Sequence, residues 1–347
     1  MKVSVWHNNR DIRIEDWPTP KPGPKEMLVK VISCGICGSD VVEWYRLPRA
    51  PLVQGHEIGG EVVEVGESVK NYRPGDRVFV APKVPCLNCY YCDAGHYPVC
   101  PNVKARLPGG FAEYILVPEI LVEKGAYRLP ENMTYDQSTF IEPLACVVRA
   151  QDLAGIKKSQ TVMVMGCGMS GLLQVKLAKA KNCRIIATDI NRTRLNFAKK
   201  IGADITLDAA TNVAQRLTVE HGKKADVVVL CTSALAALDQ AWKCVDKGGS
   251  IIFFAVPGPD MKVIVPINDF WTQEVKILTS YYCGPPDIQE AIKLIETETI
   301  KVDDMITHRL PLKDIAQGFR LVIDGRESMK VIIKPHQRMR TSEPHIK

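Results

Sequence analysis

Thr161-Val162-Met163-Val164-Met165 runs directly into Gly166-Cys167-Gly168-Met169-Ser170-Gly171, and this stretch decides the fold. Its first half has the apolar texture of a strand buried on both faces, as in a parallel sheet. Its second half spells G-x-G-x-x-G and opens a helix expected from about Ser170 to Ala180. Alone that hexapeptide is weak evidence, but between a strand and a helix it marks a dinucleotide site. Gly166 permits the tight turn, Gly168 lets the backbone approach a pyrophosphate, and Gly171 lets helix pack on strand. Free N–H groups at the helix start, around Met169 and Ser170, favour the anion.

Downstream the pattern alternates. Arg184-Ile185-Ile186-Ala187-Thr188 is a second strand, followed by a helix from about Arg192 to Ile201. Val227-Val228-Val229-Leu230 and Ser250-Ile251-Ile252-Phe253-Phe254 continue the series, which predicts a doubly wound parallel sheet with crossover helices. Asp189 ends the second strand 18 residues after Gly171. A carboxylate there accepts hydrogen bonds from the adenosine ribose and repels a 2′-phosphate, so the expected cofactor is NAD rather than NADP. Arg194, like Arg192, either softens that preference or lies on a solvated helix face.

Upstream, residues 1 to 130 carry short β-like runs cut by Gly and Pro. Leu28–Ile32, Glu61–Val65 and Arg77–Val80 read as strands, with Pro74-Gly75-Asp76 as a turn. They imply a small barrel or sandwich. Thr134 and Gln137 have the spacing of a capping box. Phe140, Ile141, Leu144, Ala145 and Val148 follow at helical spacing, with Pro143 expected to bend or interrupt that helix.

The 347 residues favour two domains. No leader and no apolar run near the roughly 20 residues of a membrane span is evident, so the expected location is the cytoplasm. Twelve cysteines then read as metal ligands and reduced core thiols. The net charge of +6 is spread out: +3 falls between Lys334 and Lys347, expected to be a solvated end, and +3 on everything before it. That dilution argues against a nucleic-acid partner.

Cys86, Cys89, Cys92 and Cys100 have the spacing C-x2-C-x2-C-x7-C. Four thiolates saturate a tetrahedral zinc, so this lobe, about residues 84–102, is expected to be structural. Cys37 in CGICGSD and His56-Glu57 in GHE are a mixed ligand set suited to a second zinc with an open position. Zinc lowers the pKa of a hydroxyl it coordinates.

CGICGSD, GHE, the four-cysteine lobe, IEPLACVV and GCGMSG together resemble a zinc-containing medium-chain dehydrogenase/reductase of the alcohol dehydrogenase superfamily, in the sorbitol and threonine dehydrogenase branch. The resemblance covers about residues 1 to 335. It implies a β-rich GroES-like catalytic domain from both chain ends (1–149 and 286–347) around a Rossmann domain (150–285), with Tyr281–Pro286 returning the chain. It also implies two Zn2+ per chain, NAD, a small-molecule alcohol substrate and a homodimer or homotetramer. By position, Cys37 and His56 become catalytic zinc ligands and Glu57 a ligand or its neighbour. Glu142 matches an acid at the fourth position, and Ser39 a hydroxyl that takes the substrate proton. Where many relatives carry a relay histidine, this chain has Val42, leaving ordered water, ribose hydroxyls or Glu43 as proton routes.

Cys34, three before Cys37, is either a ligand partner or, the preferred reading, a core thiol. Cys146, one turn after Glu142, either swings toward a metal or, again preferred, sits in the core. Cys167 occupies a variable position of the glycine loop; Cys183, Cys231, Cys244 and Cys283 read as inert, and His96 and His308 as structural. Trp44, Tyr45 and Leu47 either line a substrate pocket or pack. The expected activity is hydride transfer from a secondary alcohol or polyol to NAD, giving the ketone. An amino-alcohol such as threonine, a zinc-independent enone or quinone reductase, and a zinc-knuckle nucleic-acid-binding protein are the alternatives.

Overall fold

The computed structural model describes residues 1–337. The chain forms two compact units. The first contains Met1–Ala94, Val99–Glu142 and the chain from Val302 onward; the second contains Gly95–Pro98 and Pro143–Lys301. Most of the basic tail, residues 338–347, lies outside the described residues.

The second unit is the doubly wound sheet. Its six strands lie in the order Ile205–Asp208, Arg184–Asp189, Thr161–Met165, Ala225–Leu230, Val245–Phe253, Lys276–Thr279. Every pairing is parallel. Every residue of Thr161–Met165 is buried, which explains its unbroken apolar texture. Strand order reverses between Thr161–Met165 and Ala225–Leu230, the kind of point where ligands bind in such sheets. The outer strands Ile205–Asp208 and Lys276–Thr279 are short, and the second is largely exposed, so neither has a buried-strand signature.

In the first unit, Met27–Gly35 pairs antiparallel with Glu57–Val65 and Tyr114–Val117, and Lys330–Lys334 adds to its end through Ile332↔Gly35 and Ile333↔Cys34. Ile306–Pro311 lies parallel beside Lys330–Lys334. The chain end thus completes the sheet begun by the N-terminal segment. Val29, Val31, Ile58, Val62, Phe111, Phe319 and Val331 form the core beneath it. Asp136 ties the pieces: it accepts from Ser33 (2.7 Å), Lys334 (2.7 Å) and Arg309 (2.6 Å).

The Thr134–Gln137 capping box is present, but it caps only the short helix Tyr135–Ser138. A new helix, Ile141–Leu153, begins after a break, with Pro143 in its first turn. The helical pattern that opens at Thr134 is thus interrupted at 139–140, as expected, and Pro143 falls in the first turn of the new helix, where its missing N–H has no intrahelical partner to lose. The chain re-enters the first unit at Val302 rather than near 286. The helix Pro285–Glu296 stays with the second unit, where Asp287 lies 3.8 Å from Arg149 and Gly284 packs against Tyr97.

Candidate zinc and dinucleotide sites

Cys86, Cys89, Cys92 and Cys100 converge around one point. Their Sγ–Sγ distances are 3.5 Å (Cys86–Cys100), 3.6 Å (Cys89–Cys92) and 3.9 Å (Cys86–Cys92 and Cys89–Cys100). A tetrahedral ion with Zn–S bonds of about 2.3 Å requires sulfurs about 3.8 Å apart, so the set matches zinc closely. Although burial opposes the thiolate, the Cys86 and Asn102 N–H groups bring Cys100 down to about 7. The lobe is local: its ligands come from the turn Pro85–Cys89, the helix Tyr90–Asp93 and the segment after Tyr97–Val99.

Cys37, His56 and Glu57 bring a sulfur, an imidazole nitrogen and a carboxylate oxygen within 4.8 Å of one another. Cys37 opens the 3-10 turn Gly38–Val41, and His56-Glu57 enters the strand Glu57–Val65. Glu57 is fully buried; its Oε2 accepts from Lys330 Nζ at 2.5 Å, while Oε1 has no hydrogen-bond partner among the described residues. An orphaned buried carboxylate oxygen beside a thiol and an imidazole is the donor set of a zinc site. Gly35 makes the Glu57–Lys330 pair possible, because a Cβ there would occupy the space of Glu57 Oε2.

Asp40, the last residue of the CGICGSD stretch, supports this set from behind. Its buried carboxylate lies 3.3 Å from His56 Nδ1, accepts from Cys37 N–H at 3.1 Å and from Arg46 at 3.0 Å. Burial opposes its ionisation, but His56, Arg46 and the Cys37 N–H outweigh it and hold the carboxyl below its ordinary value. Conversely, burial disfavours the His56 imidazolium, yet Asp40 and Cys37 push its pKa well upward.

The other expected residues are placed as follows. Ser39 Oγ reaches Cys37 Sγ at 3.3 Å. Glu142 is buried in the first turn of Ile141–Leu153 and is not among the three groups that converge at Cys37. Glu43 accepts from Asn9 N–H at 2.9 Å. Cys34 is fully buried and burial pushes its thiol far up, as it does for Cys231; Cys167 rises to about 12 and Cys244 to about 11 for the same reason.

At the glycine loop, Gly166 has φ +95° and a Cβ on Gly171 would strike the Gly166 carbonyl oxygen. A Cβ on Gly168, by contrast, would meet only Arg194 Nη1 at 3.9 Å, leaving room for phosphate. Gly168 caps the helix Met169–Ala180, whose first N–H groups, including those of Met169 and Ser170, have no intrahelical acceptor. Asp189 is 6% exposed; it accepts from Cys167 N–H and Asn191 N–H, both at 2.7 Å, and Arg194 lies 3.9 Å away. Arg192 faces solvent. The loop, the helix start and the acid suit a pyridine dinucleotide.

Comparison with known proteins agrees. The alcohol dehydrogenase GroES-like domain matches residues 23–130, and the zinc-binding dehydrogenase domain matches 171–297. Human sorbitol dehydrogenase is 32% identical over 346 residues, covering 95% of this chain and 94% of its own. Erythritol/L-threitol dehydrogenase of Mycolicibacterium smegmatis is 33% identical, covering 96% and 98%. A zinc-binding dehydrogenase from Sinorhizobium meliloti bound to NADP superposes with a TM-score of 0.86 at 31% identity, covering 96% and 99%.

Proposed function

The chain belongs to the zinc-containing medium-chain dehydrogenase/reductase family of alcohol dehydrogenases, and from that premise we propose that it oxidises a secondary alcohol or polyol to the ketone with NAD. The observation that carries this is the convergence of Cys37, His56 and Glu57, whose buried Oε1 has no hydrogen-bond partner among the described residues. These residues would hold one zinc, and Cys86, Cys89, Cys92 and Cys100 a second. A bound zinc supplies Lewis acidity and NAD the hydride acceptor.

The protein's own residues do the rest. Asp40 holds His56 Nδ1, which leaves Nε2 for the metal. Lys330 neutralises one Glu57 oxygen and leaves the other to the ion. Ser39 presents a hydroxyl beside Cys37, where it takes a hydrogen bond from substrate. The carboxylate of Asp189 supports NAD over NADP, because a 2′-phosphate beside it suffers like-charge repulsion.

The names of the polyol-oxidising relatives support a polyol, although no arginine lies between Ile277 and Pro286 to hold substrate hydroxyls. Self-association is part of the same proposal. Lys276–Thr279 ends the sheet order of the second unit, and Ile264, Ile267, Trp271 and Ile277 around it are exposed, Trp271 by 81%. Such an edge invites a second copy. We place the protein in the reducing cytoplasm, which keeps both thiolate sets in the form that binds metal.

The test is metal content with an alcohol screen followed by NADH absorbance. Two zincs per chain and turnover of a secondary alcohol or polyol are expected. One zinc with enone reduction instead would replace this function by that of a zinc-independent reductase.

A further inference from the structure

The side chain of Arg46 is 11% exposed, and its guanidinium is spent on the machinery beside Cys37. Nε donates to the Ser39 carbonyl at 3.0 Å, and Nη2 donates to Ser39 Oγ at 2.9 Å and to Asp40 Oδ1 at 3.0 Å. The local fold puts it there: after the 3-10 turn Gly38–Val41, the one-turn helix Glu43–Arg46 carries the chain back over Ser39. The ring of Tyr45 lies 5.0 Å from the guanidinium carbon.

One side chain therefore grips both the hydroxyl at Cys37 Sγ and the carboxylate at His56 Nδ1. With Asp40 balancing its charge, Arg46 is ill-suited to hold a substrate anion. Its five fixed donors suit it to orienting acceptors, which a lysine ammonium does less well. A guanidinium donating to Ser39 Oγ occupies one lone pair and stops the hydroxyl from rotating freely. It also favours any negative charge that gathers on that oxygen. Val42, between Ser39 and Arg46 in the chain, offers no polar group for this task.

We propose that Arg46 is a positioning residue for catalysis, holding the Ser39 hydroxyl and the Asp40–His56 pair in register. Unlike a histidine, it keeps its charge at every working pH. The inference rests on the zinc dehydrogenase function proposed above.

The experiment compares wild type with Arg46→Lys, Arg46→Gln and Arg46→Gly in the zinc-loaded full chain. Arg46→Gln is expected to lower kcat for alcohol oxidation about a hundredfold, the scale of losing one oriented donor, with KM for the nucleotide unchanged. Its catalytic-site zinc is expected to pass to a chelator at about tenfold lower chelator concentration. Arg46→Lys should recover only part of the loss, and added guanidinium should restore activity to Arg46→Gly. A kcat and zinc release like wild type in Arg46→Gln overturn the proposal. So does a loss in Arg46→Gly that guanidinium leaves untouched while thermal stability falls in parallel, because Arg46 is then only structural. If wild type itself turns over no alcohol, the dehydrogenase function fails; the zinc-release comparison still decides whether Arg46 holds the Asp40–His56 pair.

Discussion

Asp40 Oδ1 stands 3.3 Å from His56 Nδ1, and the Asp40 side chain has no solvent exposure. A carboxylate behind a ligating imidazole fixes the ring and its tautomer and strengthens the ligand. Asp40→Ala is therefore expected to weaken zinc binding at the Cys37 site by about 10–100-fold. The four-cysteine lobe makes no use of Asp40 and should keep its ion. Chelator titration with metal analysis checks this: the variant should fall from two zincs to one per chain at a chelator level that wild type withstands. Equal retention of both ions would remove Asp40 from the metal site.

Glu57 and Lys330 form an ion pair with no exposure on either side. Removing one partner strands the other charge, at a cost on the order of 3–5 kcal/mol. Lys330→Met should show that loss in urea unfolding of the metal-free protein. Glu57→Gln combined with Lys330→Met should recover most of it, because no charge is then left buried. A single variant as stable as wild type would mean that this buried pair contributes nothing to the stability of the fold.

Asp136 joins Ser33, Arg309 and Lys334, and so pins the last strand to the first unit. Burial raises its pKa, but Lys334, Ser33 and Arg309 prevail and hold it below the ordinary value. A folded pKa below the unfolded one, about 3.9, gives stability that is complete above that value. The stability is lost as pH falls through the depressed folded value. Thermal unfolding against pH should show Asp136→Asn less stable than wild type near pH 7, with the two curves converging below about pH 4. A gap that widens on acidification would contradict the sign.

The sequence made some of this legible because certain constraints are local. Thr161–Met165 and the glycine loop announce themselves within a few residues, since a doubly buried strand tolerates nothing polar and the turn tolerates no Cβ at Gly171. The four cysteines likewise act within one short lobe. Asp40 and Arg46 were hidden for the opposite reason: a charged residue in a polar stretch looks solvated until the turn Gly38–Val41 folds it inward. Lys330 was invisible because its partner lies 273 residues away. The proline at 143 was legible because it cannot continue a helix begun at Thr134: the break after Ser138 moves the start to Ile141 and leaves the proline in a first turn.

The proposed preference for NAD is testable at Asp189. Its two oxygens accept from Cys167 and Asn191 N–H groups, so the carboxylate is held at the end of Arg184–Asp189 beside the glycine loop rather than free to swing away. Arg194, 3.9 Å from it, offsets the charge only in part. Asp189→Asn keeps the shape and one acceptor while removing the charge. Like charges in contact cost several kcal/mol, and each 1.4 kcal/mol is about tenfold in affinity. The ratio of kcat/KM for NAD to that for NADP should therefore fall by about 10–100-fold in this variant, mostly through better use of NADP. Steady-state rates with both nucleotides measure it. An unchanged ratio would show that the carboxylate does not discriminate, and the preference would have to be sought at Arg194 instead.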